Sequence, residues 1–113
     1  MGVTGARLSR AAEATARWAE DELAALGPVS ARKMFGGFGI FLDGVMFAIV
    51  DPDGALFYRT DERTEPSYVA GGSAKHPRMP YWSVPNDVLA DPDVLRAWGK
   101  EAFRLARQAK TKA

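Results

Sequence analysis

The stretch FGIFLDGVMFAIV, residues 38–50, decides how this chain folds. Two apolar runs, 38–42 and 45–50, flank Asp43-Gly44. A two-residue Asp-Gly loop is a strong hairpin signal, because its turn needs positive φ at both central positions. A loop of that length also sets the register. It predicts Leu42 opposite Val45, Ile40 opposite Phe47 and Phe38 opposite Ile49, all on one side of the sheet. Phe41 and Met46 then pair on the reverse side, beside Gly39 and Ala48. Both sides of the hairpin are apolar, whereas a sheet wetted on one face alternates apolar with polar residues. Helices are expected over one face. Another helix of the same chain, or a second copy of it, is expected over the other.

Outward from the hairpin, residues 29–35 read as a preceding strand, with a bend or bulge at Gly36-Gly37. Residues 8–26 are rich in alanine, the residue that costs least in a helix. Leu8, Ala12, Thr15, Ala19, Leu23 and Leu26 share one face, with Trp18 at its margin, and Gly27-Pro28 stops the helix. On the other side, Asp51-Pro52-Asp53-Gly54 is a type I turn leading to a strand at 55–59. Residues 64–70 form a short helical turn, with Pro66 near its start and Gly71 after its end. Residues 79–84 are strand-like, and Pro80 marks an edge or a strand start. Asp91 caps a final helix with Pro92 in its first turn. Leu95, Trp98, Ala102, Leu105 and Ala109 form its apolar stripe, bordered by Val94 and Phe103, and residues 108–113 are expected to fray. The result is an α+β fold, an antiparallel sheet with N- and C-terminal helices, in one domain spanning 1–113 with an ordered core of about 8–108.

At 113 residues the chain suits one domain, and 47% hydrophobic residues argue against disorder of its body. With 15 basic and 14 acidic side chains, the net charge of +1 supplies no overall field to steer nucleic acid or membrane. There is no cysteine, which removes disulfides, thiolate nucleophiles and sulfur-based zinc sites and fits a cytoplasmic setting. The first ten residues lack an apolar run, so no secretory leader is expected. The apolar run 45–50 is far below the ~20 residues that cross a bilayer.

The chemistry of catalysis is sparse. His76 is the single histidine, and Ser73 nearby sits in a Gly-Gly-Ser run without a nucleophile elbow. Asp43, Asp51 and Asp53 occupy turns, and Asp91 and Asp93 suit a helix start. Gly36-Gly37-Phe38-Gly39 enters a hairpin instead of a helix, which rules it out as a phosphate loop. No cofactor, metal or enzymatic activity is expected; a hydrolase using His76 or the Tyr58/Arg59 region would need a pocket joining them. Two surface features remain. Arg78, Met79, Tyr81 and Trp82 interleave basic, sulfur and aromatic groups of the kind enriched at protein interfaces. With Phe41 and Met46 they are the candidate partner-binding residues. Arg96, Lys100, Arg104 and Arg107 follow helical spacing, with Lys110 and Lys112 beyond. They form a candidate row for phosphate contact, although a charged row is commonly a solvated helix face.

Several of these residues together resemble a known family. Arg32-Lys33-Met34-Phe35-Gly36-Gly37, Gly39-Ile40-Phe41, the Asp43-Gly44 hairpin and Met46-Phe47-Ala48-Ile49 are similar to the N-terminal domain of TfoX (Sxy) competence regulators. Met79-Pro80-Tyr81-Trp82-Ser83-Val84-Pro85 and the stretch from Leu89-Ala90-Asp91 to Trp98 extend the likeness, which covers roughly residues 10–110. The resemblance implies a fold like that of secretion chaperones, α-β(3)-α-β(2)-α, which commonly pair as homodimers. It implies a non-enzymatic, regulatory, protein-binding role linked to switching on DNA-uptake genes, and it brings no catalytic residues. The C-terminal domain of the full-length regulators has no counterpart in these 113 residues. The alternative expectation is an accessory nucleic-acid binder using the basic row.

Overall fold

The computed structural model describes residues 2–34 and 36–112, with side-chain surroundings for 10–34 and 36–111. Helix α1 (Gly2–Glu22) leads through a 3-10 turn (Ala24–Leu26) into four strands: β1 (Ser30–Met34), β2 (Gly37–Leu42), β3 (Val45–Val50) and β4 (Leu56–Arg59). Helix α2 (Glu65–Ala70), strand β5 (Tyr81–Ser83), helix α3 (Asn86–Leu89) and helix α4 (Pro92–Lys112) complete the chain. The strands form one antiparallel sheet in the order β1-β2-β3-β4-β5. The α+β fold is as expected; four strands precede α2 and one follows it, where the resemblance implied three and two. Between α2 and β5 only Lys75 forms a bridge, to Trp82. The short α3 was not foreseen, and α4 stays helical to Lys112, beyond the fraying expected at 108. Phe35 and the Leu8 side chain, counted above in a strand and a helical stripe, lie outside the described residues.

Both long helices lie on the same face, α1 over β1 and β2 and α4 over β3 and β4. Ala12, Ala16 and Ala19 of α1, with Leu23 just beyond it, meet Leu95, Ala102 and Ala106 of α4 above Phe38, Ile40, Leu42, Phe47, Val50 and Tyr58. Small residues on the first helix let it sit close to the sheet, while Phe47 packs edge-on against Phe103 at 5.9 Å. Tyr58 is fully buried, and its hydroxyl donates to the Leu95 carbonyl at 2.9 Å, which ties β4 to α4. Burial pushes the Tyr58 phenol well above its ordinary pKa. Helix α4 starts as its cap predicts, with Asp91 Oδ1 accepting the N–H groups of Asp93 and Val94.

The hairpin turn has the predicted geometry, with φ of 52° at Asp43 and 76° at Gly44. Leu42 pairs with Val45 and Phe41 with Met46, as the loop length requires. The remaining register differs from expectation. Ile40 pairs with Ala48 and Phe38 with Val50, because the register shifts between Ile40 and Phe41. Phe47 is the extra residue of a β-bulge, so Phe47 and Ala48 both belong to the core under the helices. Past the bulge the alternation is inverted. Ile49 joins a separate cluster on the reverse face, and Val50 joins the core.

Candidate functional site

Among the described residues, no helix lies on the reverse face of the sheet. Register puts Arg32 and Met34 of β1 level with Gly39 and Phe41 of β2, Met46 and Ile49 of β3, Phe57 and Arg59 of β4, and Tyr81 of β5. At its centre Ile49, Phe57 and Tyr81 are buried, with Met46 and Met79 packed against them. Of the two covers expected, a helix of the same chain or a second copy, the first is not what closes this face. Residues 74–80 wrap the β5 side instead: Ser83 N–H donates to Ala74, His76 N–H to Tyr81, and Tyr81 N–H to Met79. His76 lies edge-on to Phe57 at 5.6 Å, and its Nδ1 accepts the Arg78 N–H at 3.2 Å.

Toward β1 the cover is made of partly exposed side chains. Gly39 leaves a dent in which a β-carbon would come within 2.7 Å of the sulfurs of both Met34 and Met46. The Arg32 guanidinium lies over the Phe41 ring at 4.5 Å. Met34, Phe41, Met46 and Met79 are all only partly buried. The Tyr81 hydroxyl donates to the Met46 carbonyl at 3.1 Å and spans the face from β5 to β3. Burial raises the Tyr81 pKa, against the opposing effect of Arg59. A cleft of about 370 Å³ opens at the hairpin end, between Met46, Arg59, Met79, Tyr81 and the last turns of α4. The buried Nε of Arg59 has no hydrogen-bond partner among the described residues.

Four of the six candidate partner-binding residues, Phe41, Met46, Met79 and Tyr81, therefore meet on one face. Arg78 stands exposed beside them. Trp82 does not join them: it alternates with Tyr81 along β5 and packs against the helix-side core. Sequence reasoning did not place Arg32, Met34, Ile49 and Phe57 on this face. A period-two reading of 30–34 would have found the first two. Ile49 was hidden by the bulge.

The basic row on α4 is largely neutralised from within. Arg96 pairs with Asp93 at 2.6 Å and Arg104 with Glu101 at 2.6 Å. The Arg104 bond holds the Glu101 carboxyl below its ordinary pKa. Arg107 leans over the Phe103 ring at 5.3 Å, and Lys100 is exposed. His76 and Tyr58 lie on opposite sides of the sheet, and the cleft that Arg59 lines with Met46, Met79 and Tyr81 does not include His76. A cleft of about 610 Å³ between α1 and α3 is lined by no charged residue, and the hydroxyls of Thr15 and Ser83 in it are already bonded to backbone. No group of three potential metal-ligating side chains is found among the described residues. No described helix is long and apolar enough to cross a membrane.

The architecture defines a two-layer α+β domain, a five-stranded meander with helices on one face and a methionine-rich reverse face. Compared with known protein families, residues 21–106 match the TfoX N-terminal domain, and the chain belongs to that family. A comparison with curated proteins gives no match.

Proposed function

We propose that this chain is a non-enzymatic regulatory module that acts by docking another protein on the helix-free face of its sheet. The observation that carries this reading is the small second core of Ile49, Phe57 and Tyr81, rimmed by half-exposed Met34, Phe41, Met46 and Met79. Thioether side chains repack at little cost and suit surfaces that accept a partner. Membership of the TfoX N-terminal domain family supports a regulatory role, control of competence genes included. The absence of cysteine supports a reducing compartment such as the cytoplasm.

A homodimer formed face to face is disfavoured on electrostatic grounds. Arg32 and Arg59 occupy this face, and the strand positions that share it carry no carboxylate. Two copies would set cation against cation. The internal pairing of Arg96 and Arg104 likewise makes the α4 row a poor phosphate track.

The test is co-purification from native extract, followed by reconstitution with the identified partner in pure form. Met46→Asp should weaken binding by about tenfold or more, whereas Lys100→Glu combined with Arg107→Glu should leave it unchanged. Full affinity in Met46→Asp would refute the docking face.

A further inference from the structure

We infer that the helix-free face receives an acidic amphipathic helix from its partner. The inference rests on the docking reading above and adds the chemistry and shape of the occupant. It follows from charge first. Arg32 stands on β1, Arg59 on β4, and Lys75 and Arg78 lie in the segment that wraps the β5 side. Two carboxylates continue the strands beyond this face, Asp51 after β3 and Asp61 two residues after Arg59. Both already accept backbone N–H groups, Asp51 Oδ1 from Asp53 and Ala55 at 3.0 and 2.9 Å and Asp61 Oδ1 from Arg63 and Thr64, each at 3.0 Å. The apolar patch is thus bracketed by cations without matching acids, and an occupant with apolar side chains between carboxylates completes it.

The shape follows from the sheet edges. Residues 74–76 already occupy the outer edge of β5 through the Ser83-to-Ala74 and His76-to-Tyr81 bonds. On the outer edge of β1, Glu20 accepts the Ala31 N–H at 2.9 Å. An added strand at the β1 edge would leave the apolar patch of Ile49, Phe57 and Tyr81 at the middle of the face uncovered, so recognition of that patch falls to side chains, as it does when a helix lies on a surface. Arg32 is level with Phe57, three strand spacings away, and Arg59 lies two residues further along β4, so the two positions are about 16 Å apart. That is the rise of about eleven helical residues, and acids eleven positions apart fall on the same side of a helix and would reach both.

Single-stranded nucleic acid is also acidic, but it needs free rings on which to stack. Phe57 and Tyr81 are buried, with His76 set edge-on against Phe57, and Phe41 carries the Arg32 guanidinium over its ring. These rings favour the peptide.

The experiment uses fluorescence anisotropy with a labelled synthetic helix of about sixteen residues, leucine on one face and glutamates flanking it. Its counterpart carries lysine for each glutamate, and oligothymidylate is the nucleic-acid probe. The intact chain should bind the acidic peptide, with affinity falling as salt rises. Arg32→Glu with Arg78→Glu, both at exposed side chains, should lose about tenfold or more and should gain affinity for the lysine peptide. Equal binding of the two peptides, salt-independent binding, or tighter binding of oligothymidylate would overturn the inference. The docking reading fails separately. If the natural partner is lost in Met46→Asp while the acidic peptide never binds, the face stands and the acidic helix falls.

Discussion

Gly99 sits in the middle of α4 at its closest approach to the sheet, and replacing it by alanine sets two effects against each other. A β-carbon at this position would lie 2.9 Å from the Tyr58 hydroxyl oxygen, 3.0 Å from Leu23 Cδ2 and 3.3 Å from Tyr58 Cζ. Tyr58 and Leu23 are fully buried, so neither can swing away. Overpacking of this kind costs about 1–3 kcal/mol. Alanine in place of glycine in a helix interior returns about 0.8–1 kcal/mol. Gly99→Ala should therefore be destabilised by about 1 kcal/mol. Tyr58→Phe alone removes the bond to Leu95 and should cost about 1 kcal/mol as well. The pair should not add. Without the phenolic oxygen the closest overlap is gone, and the 3.0 Å approach to Leu23 that remains is offset by the helix gain, so the double variant should lose about 1 kcal/mol, not 2. Urea unfolding followed by tryptophan fluorescence resolves this. For a slope of about 2 kcal/mol per molar, the missing 1 kcal/mol is a midpoint difference of about half a molar. A double variant whose loss equals the sum of the singles would refute the reasoning, as would a Gly99→Ala chain more stable than the parent.

The same substitution at Gly39 should behave differently. The nearest atoms there are the sulfurs of Met34 and Met46, at the ends of flexible side chains, so Gly39→Ala should change stability by less than about 1 kcal/mol while displacing both methionine methyl signals in NMR spectra. Silent methyl signals would mean that the dent is not filled as described. All three tyrosines, Tyr58, Tyr68 and Tyr81, are buried, and burial raises the pKa of each. A raised folded-state pKa contributes stability that is complete below the unfolded value of about 10 and is lost as pH climbs above it. Tyrosinate absorbance should therefore appear together with loss of near-ultraviolet circular dichroism in alkali; ionisation near pH 10 in a still-folded chain would contradict the burial.

The parts of the fold that the sequence discloses are those with a local physical signature. Asp43-Gly44 needs positive φ, and the Asp51 turn closes with the Gly54 N–H on the Asp51 carbonyl at 2.9 Å. Asp91-Pro92 caps a helix whatever surrounds it. The bulge leaves no such mark. Residues 45–50 are apolar throughout, so no alternation reveals where the phase changes. Trp82 and Tyr81 are adjacent, and composition alone groups them, while a strand sends them to opposite sides. The reverse face was legible as a doubly apolar hairpin. Its arginine rim was not, because Arg32, Arg59 and Arg78 come from three distant segments that only the sheet order assembles.

The bulge has one more consequence. Because Phe47 is the surplus residue, deleting it would leave the pairs Phe41–Met46, Ile40–Ala48 and Phe38–Val50 as they are, and would open a benzyl-sized hole beside Phe103. Deleting Ile49 would instead carry Val50 out among the methionines. Within this six-residue strand only the bulge pair, Phe47 and Ala48, can give up a residue without turning the rest of the strand inside out.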